Sequence, residues 1–173
     1  MKRSVLTLTV LTILVMAVPV FAASTPTTFT VSASVINNCT ISAGNLAFGS
    51  YDPVVANNTT GADLYANSTL TVACTKGAAN VWIGLDAGAN SASAVGTTRA
   101  MSAGGGNFLS YELYTANPNP APGAAWGNTM ATGASYTPVS KAAASITVYG
   151  RTPKGQDAAA GAYSDTITAT INY

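Results

Sequence analysis

The chain has 173 residues, with 7 Lys and Arg against 6 Asp and Glu, no histidine, two cysteines and only 8% charged residues, about a third of the usual charged fraction. So few cations form no basic stripe to neutralise phosphates, which excludes a nucleic-acid binder. With no histidine and a single glutamate, Glu112, the Ser-His-Asp triad, the Cys-His pair, every His-based metal site and a Glu-Glu acid/base pair are excluded. The chain reads as a non-enzyme with no cofactor and no metal. A 48% apolar content rich in Ala, Val, Thr and Gly supports one core under a neutral, weakly self-repelling surface, a combination that suits assembly.

Residues 1–22 read as a secretory signal peptide. Lys2 and Arg3 precede an apolar run from Val5 to Val18, and Pro19, Val20, Phe21 and Ala22 form a plausible cleavage region. A membrane anchor is the alternative, but about fourteen residues at ~1.5 Å each span only ~21 Å of a ~30 Å hydrocarbon core. Cleavage after Ala22 removes Lys2 and Arg3 and leaves five cations against six anions. Export leads to an oxidising compartment, where Cys39 and Cys74 have only each other as partners. A disulfide is expected there, with two buried free thiols as the alternative.

Alternation of period two dominates the remainder, and no window carries a helical stripe, so the fold class is all-β. Phe29, Val31, Ala33 and Val35 form the first inward row, followed by Leu70, Val72 and Cys74, by Val81, Ile83 and Leu85, and by Leu109, Tyr111 and Leu113. Ile146 with Val148 and then Ile167, Ala169, Ile171 and Tyr173 complete the set. Turn-rich stretches separate the rows at 49–61, 86–96, 103–107 and 117–133. The stretch from Thr115 to Pro138, with Pro118, Pro120, Pro122 and Trp126, reads as a long ordered loop over a sandwich. One domain with six or seven short strands fits an immunoglobulin-like β-sandwich.

Chemical motifs are weak. Gly104, Gly105 and Gly106 lack the Lys-Ser/Thr of a phosphate loop and read as a flexible loop. Asp86 with Gly88 and Asn90 is a poor calcium candidate. The N-x-Ser/Thr triplets at Asn38, Asn57, Asn58 and Asn67 occur at the frequency chance gives in a chain so rich in Asn and Thr. Trp82, Trp126, Tyr51, Tyr65, Tyr111 and Tyr114 read as core or capping aromatics, with sugar stacking as the alternative.

The two ends are more distinctive. The C-terminal row alternates from Tyr163 to Tyr173 without edge-protecting Lys or Pro, a template for association. At the other end, Ser24–Val35 begins polar and becomes an alternating strand. Phe29, Val31, Ala33 and Val35 suit addition to a sheet of another molecule. Pairing within the same subunit is the other reading, and pattern alone does not separate the two.

Several local sequences then combine: Asn38-Cys39-Thr40-Ile41, Leu46-Ala47-Phe48-Gly49-Ser50-Tyr51-Asp52-Pro53, Leu70-Thr71-Val72-Ala73-Cys74-Thr75, Tyr149-Gly150-Arg151-Thr152-Pro153, Gln156, Gly161-Ala162-Tyr163-Ser164-Asp165-Thr166 and Thr170-Ile171-Asn172-Tyr173. Their combination resembles the spore coat protein U domain family, which includes major pilins of archaic chaperone-usher pili. The resemblance implies an incomplete immunoglobulin-like sandwich completed by a donated strand. It implies Cys39 and Cys74 as the intrachain disulfide and Phe29, Val31, Ala33 and Val35 as the donor row. Ile167, Ala169, Ile171 and Tyr173 would lie on the last strand, beside the acceptor groove and in contact with a chaperone. The implied organisation is a signal peptide at 1–22, a donor segment at 23–36 and the sandwich at 37–173.

The expected function is a structural pilin for attachment and biofilm formation, in the periplasm in transit and then at the cell surface. Its partners would be like subunits, a periplasmic chaperone and an outer-membrane usher, with a membrane met only during export. A tip or secreted adhesin binding a sugar or surface, and a self-complemented coat protein, are the alternatives.

Overall fold

The structure is a computed structural model that describes residues 19–173. Most of the leader expected at 1–22 lies outside the described residues. The chain divides into two units, 1–34 and 35–173.

In the first unit, residues 19–34 adopt no helix or strand and their side chains are exposed. The strand expected from Phe29 to Val35 is therefore not formed: Phe29 and Val31 are 85% and 83% exposed, and Val35, at the start of the second unit, is 85% exposed. The physical reason is that alternation supplies one apolar face but no hydrogen-bonding neighbour, and a lone strand is not stable in water.

The second unit is a two-sheet, all-antiparallel sandwich with one 3-10 turn at Ser91–Ser93. Its strands are β1 (Cys39–Ala43), β2 (Leu64–Cys74), β3 (Trp82–Leu85), β4 (Arg99–Gly104), β5 (Asn107–Tyr114), β6 (Ala134–Ser135), β7 (Ala144–Thr152) and β8 (Ala169–Asn172). One sheet has the order β1-β2-β7-β5-β4 and the other β6-β3-β8. The rows read from the sequence meet between the sheets, where Leu70, Val72, Ile83, Leu85, Tyr111, Leu113, Trp126 and Val148 form one buried cluster. The disulfide Cys39–Cys74 joins β1 to β2 at directly paired positions and closes a separation of 35 residues.

The long loop after β5 is anchored by Trp126, which is fully buried. Its backbone N–H donates to Leu113 O at 2.8 Å and its indole Nε1–H to Ile83 O at 2.8 Å. Gly104, Gly105 and Gly106 form a hairpin turn between β4 and β5 rather than a free loop, all with φ from 59° to 80°, the left-handed region that side chains resist. The final strand is shorter than its alternation suggests. Residues 163–168 leave the ladder, touching β4 through a Ser102–Ser164 bridge, and only Ala169–Asn172 pair with β3.

An open cleft between two edge strands

β1 borders one sheet and β8 the other, and each has a hydrogen-bonded neighbour on one side only. β1 pairs with β2 and then gives way to Gly44–Pro53, which forms no strand. β8 pairs with β3 and is preceded by 165–168, which form no strand, with Thr168 O accepting from Asp86 N–H at 3.1 Å. β1 and β8 lie close to each other, and the sandwich opens beyond their ends, between the stretches 43–48 and 163–169. A cleft of about 510 Å³ reaches from Ala43 and Ala169 into the core, where Leu70, Leu85, Leu113 and Val148 form its depth. A second cleft of about 700 Å³ continues toward Tyr51, Leu64, Leu109 and Ala158–Tyr163. Leu46, Phe48, Met101 and Tyr163 line both.

The cleft's shape follows from local sequence. Phe48 lies over Gly150 of β7, where an added Cβ would come within 2.7 Å of the ring. Its ring also meets Tyr111 edge-on at 5.8 Å between centroids. The Tyr111 hydroxyl donates to Asp165 Oδ2 at 2.8 Å. Burial, reinforced by that hydrogen bond to a carboxylate, raises the Tyr111 pKa, so the phenol stays protonated. Asp165 in turn accepts from the N–H of Ala89 and from Asn90 Nδ2, fixing the stretch before Ile167. The result is a trough with an apolar floor and walls held by polar side chains.

Of the residues singled out from the sequence, Ile167 and Ala169 line this cleft and are half-buried. Ile171 packs against the small cluster of Cys74, Ala78 and Val81, while Tyr173 is 54% exposed. Phe29, Val31, Ala33 and Val35 are brought to no core in the described residues. Among the aromatics, Trp126, Tyr111 and Tyr114 are buried. Tyr51 is half-buried; its hydroxyl donates to Pro153 O and accepts from Gln156 N–H. Asp86 Oδ1 accepts from the N–H groups of Gly88 and Thr168. Among the described residues no group of three or more His, Cys, Asp or Glu side chains is placed to hold a metal ion.

Sequence reading missed the buried ion pair of Arg99 and Glu112, which are 1% and 4% exposed. Arg99 also donates to the carbonyls of Leu85, Asp86 and Trp126, tying β3, β4 and the long loop together. Glu112 accepts from Thr98 N–H and Oγ1–H as well. The one available signal was a lone Glu inside an apolar strand, because burial of an unpaired charge is too costly to persist.

A family model described as Spore Coat Protein U domain matches residues 25–170. The chain belongs to that family. It is 35% identical over 179 residues to Protein U of Myxococcus xanthus, covering 99% of this chain and 98% of the relative. Among solved structures, it matches the CsuC–CsuE chaperone–tip adhesion subunit pre-assembly complex from archaic chaperone-usher Csu pili of Acinetobacter baumannii with a TM-score of 0.50 and 20% identity. That match covers 80% of this chain and 40% of the neighbour, so it bears on the fold alone. Among the described residues no helix is long and apolar enough to cross a membrane.

Proposed function

We propose that this protein is an exported structural subunit that polymerises by strand donation. The open cleft of one copy receives the segment 27–35 of another, with Phe29, Val31, Ala33 and Val35 entering the apolar floor. The observation that carries this reading is the pairing of an unfilled cleft that opens at the ends of two one-sided edge strands with an alternating segment whose large side chains are left in water. Each half lacks what the other supplies. The cleft needs a strand to satisfy the outer edges of β1 and β8, and the segment needs a sheet. The donor exchange is head-to-tail, so it propagates as a filament rather than closing as a dimer.

On this reading residues 1–22 direct export, 23–36 donate and 37–173 receive. A periplasmic chaperone holds the cleft before assembly, against the edge that includes Ile167, Ala169 and Ile171, and an outer-membrane usher passes subunits to the surface. The fibres serve attachment and biofilm formation, and no reaction is catalysed. The solved neighbour, captured with a chaperone before assembly, supports this order of events. A coat-protein role on a cell or spore surface is the second reading, favoured by the description of the matching family as Spore Coat Protein U domain. Strand donation serves either.

The test is expression in a periplasm with and without the chaperone, followed by unboiled denaturing gels. Ladders that collapse on boiling are expected. Deletion of 23–35 is expected to abolish them, and ladders of normal length from that deletion would refute the donor assignment.

A further inference from the structure

The eleven charges in residues 23–173 are segregated along the sandwich. Lys76 follows Cys74 at the end of β2, and Lys141 precedes β7, whose first residue pairs with Val72. Gly77 N–H donates to Pro138 O at 3.0 Å, which brings their two loops together. Both lysines are exposed, and no carboxylate side chain lies in either loop. This is also the end where the second unit begins, since Thr75 Oγ1–H donates to Ile36 O.

At the opposite end of β2, about 33 Å away at ~3.3 Å per residue, Asp63 accepts from Arg151 Nε and from Lys154 N–H. Asp52 and Asp157 lie beside it through the Tyr51–Gln156 contact. Asp165 and Asp86 stand at the same level. Asp165 accepts from Tyr111, which pairs with Arg99, and the Asp86 carbonyl accepts from Arg99. Arg99 and Glu112 neutralise each other. Counted over side chains, one end thus carries +2, and the remainder, five aspartates against Arg151 and Lys154, carries −3.

The cleft extends toward the acidic end, where Tyr51 and Ala158–Tyr163 line it. A donated segment has two directions in which to lie. One sets the lysine end of the giver against the acidic end of the receiver. The other sets two lysine ends together, where the receiver's own segment must also emerge.

We infer that successive copies dock with Lys76 and Lys141 of one subunit against the acidic end of the next, the end bearing Asp52 and Asp157, so that charge selects the direction of strand donation. This rests on the strand-donation reading above and adds a partner surface to it. The occupant of the acidic end is a second copy of this chain, recognised by opposite charge before its strand enters. Attraction of this kind acts chiefly on the association rate and is screened by salt, with a screening length of ~30 Å at 0.01 M and ~10 Å at 0.1 M.

The experiment follows the growth of heat-labile oligomers from the purified mature chain between 10 and 200 mM NaCl, with thermal unfolding as a check on folding. Wild-type assembly is expected to slow as salt rises. The K76E/K141E variant, which sets −2 against −3, is expected to assemble about tenfold more slowly at low salt and to speed up as salt rises. K154E makes the acidic end more negative and is expected to assemble faster than wild type at low salt. The same salt response in wild type and K76E/K141E, with ladders formed by both, overturns the charge pairing and leaves strand donation standing. Absence of ladders from the wild type at every salt overturns strand donation and this inference with it.

Discussion

Replacing Phe29 by Ala isolates the contribution of one donor side chain. Phe29 is 85% exposed in the single chain, so nearly all of its surface remains to be buried on assembly. An aromatic side chain presents roughly 200 Å². Burying most of that at ~25 cal/mol per Å² gives an upper bound of about 4 kcal/mol, and whole-side-chain transfer gives ~1.5–3 kcal/mol. The substitution is therefore expected to weaken each joint by about 2–3 kcal/mol, a factor of about 30–150 in its dissociation constant. The free subunit should be unchanged, because Phe29 touches no core in it. The assay is the guanidinium concentration at which preformed ladders dissociate, compared with the unfolding midpoint of the same variant as a monomer. Thr30→Ala, on the other face of the segment, is the control and is expected to shift dissociation little. Equal shifts for Phe29→Ala and Thr30→Ala, or a monomer destabilised as much as the joint, would refute the reasoning.

Other consequences follow from the body of the sandwich. Cys39→Ser opens a 35-residue loop, which in the chain-entropy model costs about 4 kcal/mol; thermal unfolding should fall sharply, and an unchanged midpoint would mean the bridge constrains nothing. Glu112→Gln leaves Arg99 charged at 1% exposure and is expected to cost about 3–5 kcal/mol, whereas Arg99→Met with Glu112→Leu together should cost clearly less than Glu112→Gln alone. Denaturant titration of the three variants decides this. Stability should also decline in acid. The N–H groups of Val55 and Val54 hold the Asp52 carboxyl below its ordinary value of 3.8. Burial pushes Asp63 and Asp86 upward, but hydrogen bonds from Lys154 and Arg151, and from Thr168 and Gly88, outweigh it and keep both lowered. Carboxyls with depressed folded values contribute fully above the unfolded value and lose that contribution as pH falls through the folded one. Unfolding midpoints should therefore hold from pH 7 to about pH 5 and drop below about pH 4. A flat profile down to pH 2 would contradict the assignment.

The inward rows of β2, β3, β5 and β7 were legible because in each the apolar positions recur two residues apart, as in Leu70, Val72 and Cys74. β4 was not legible: its first buried position is Arg99, which is tolerable only because Glu112, thirteen residues later, neutralises it, and period-two reading sees no such partner. β5 is buried on both faces, with Ser110 and Glu112 covered as well as Leu109 and Tyr111, and period-two alternation reports only one of those faces. β6, with two residues, is too short to carry a period. The Phe29–Val35 row alternates as a strand does yet forms none in the single chain, since alternation specifies a face and supplies no sheet to receive it. The cleft itself is a property of two edges distant in sequence. Only the position of Leu46 and Phe48 over Gly150, and of Ile167 and Ala169 opposite them, makes it visible.

Amide hydrogen exchange across residues 27–36, followed in dilute monomer and in the assembled polymer, tests strand donation most directly. Protection in the polymer and fast exchange in the monomer is the predicted result. Protection already present in the monomer, or none in the polymer, would contradict it.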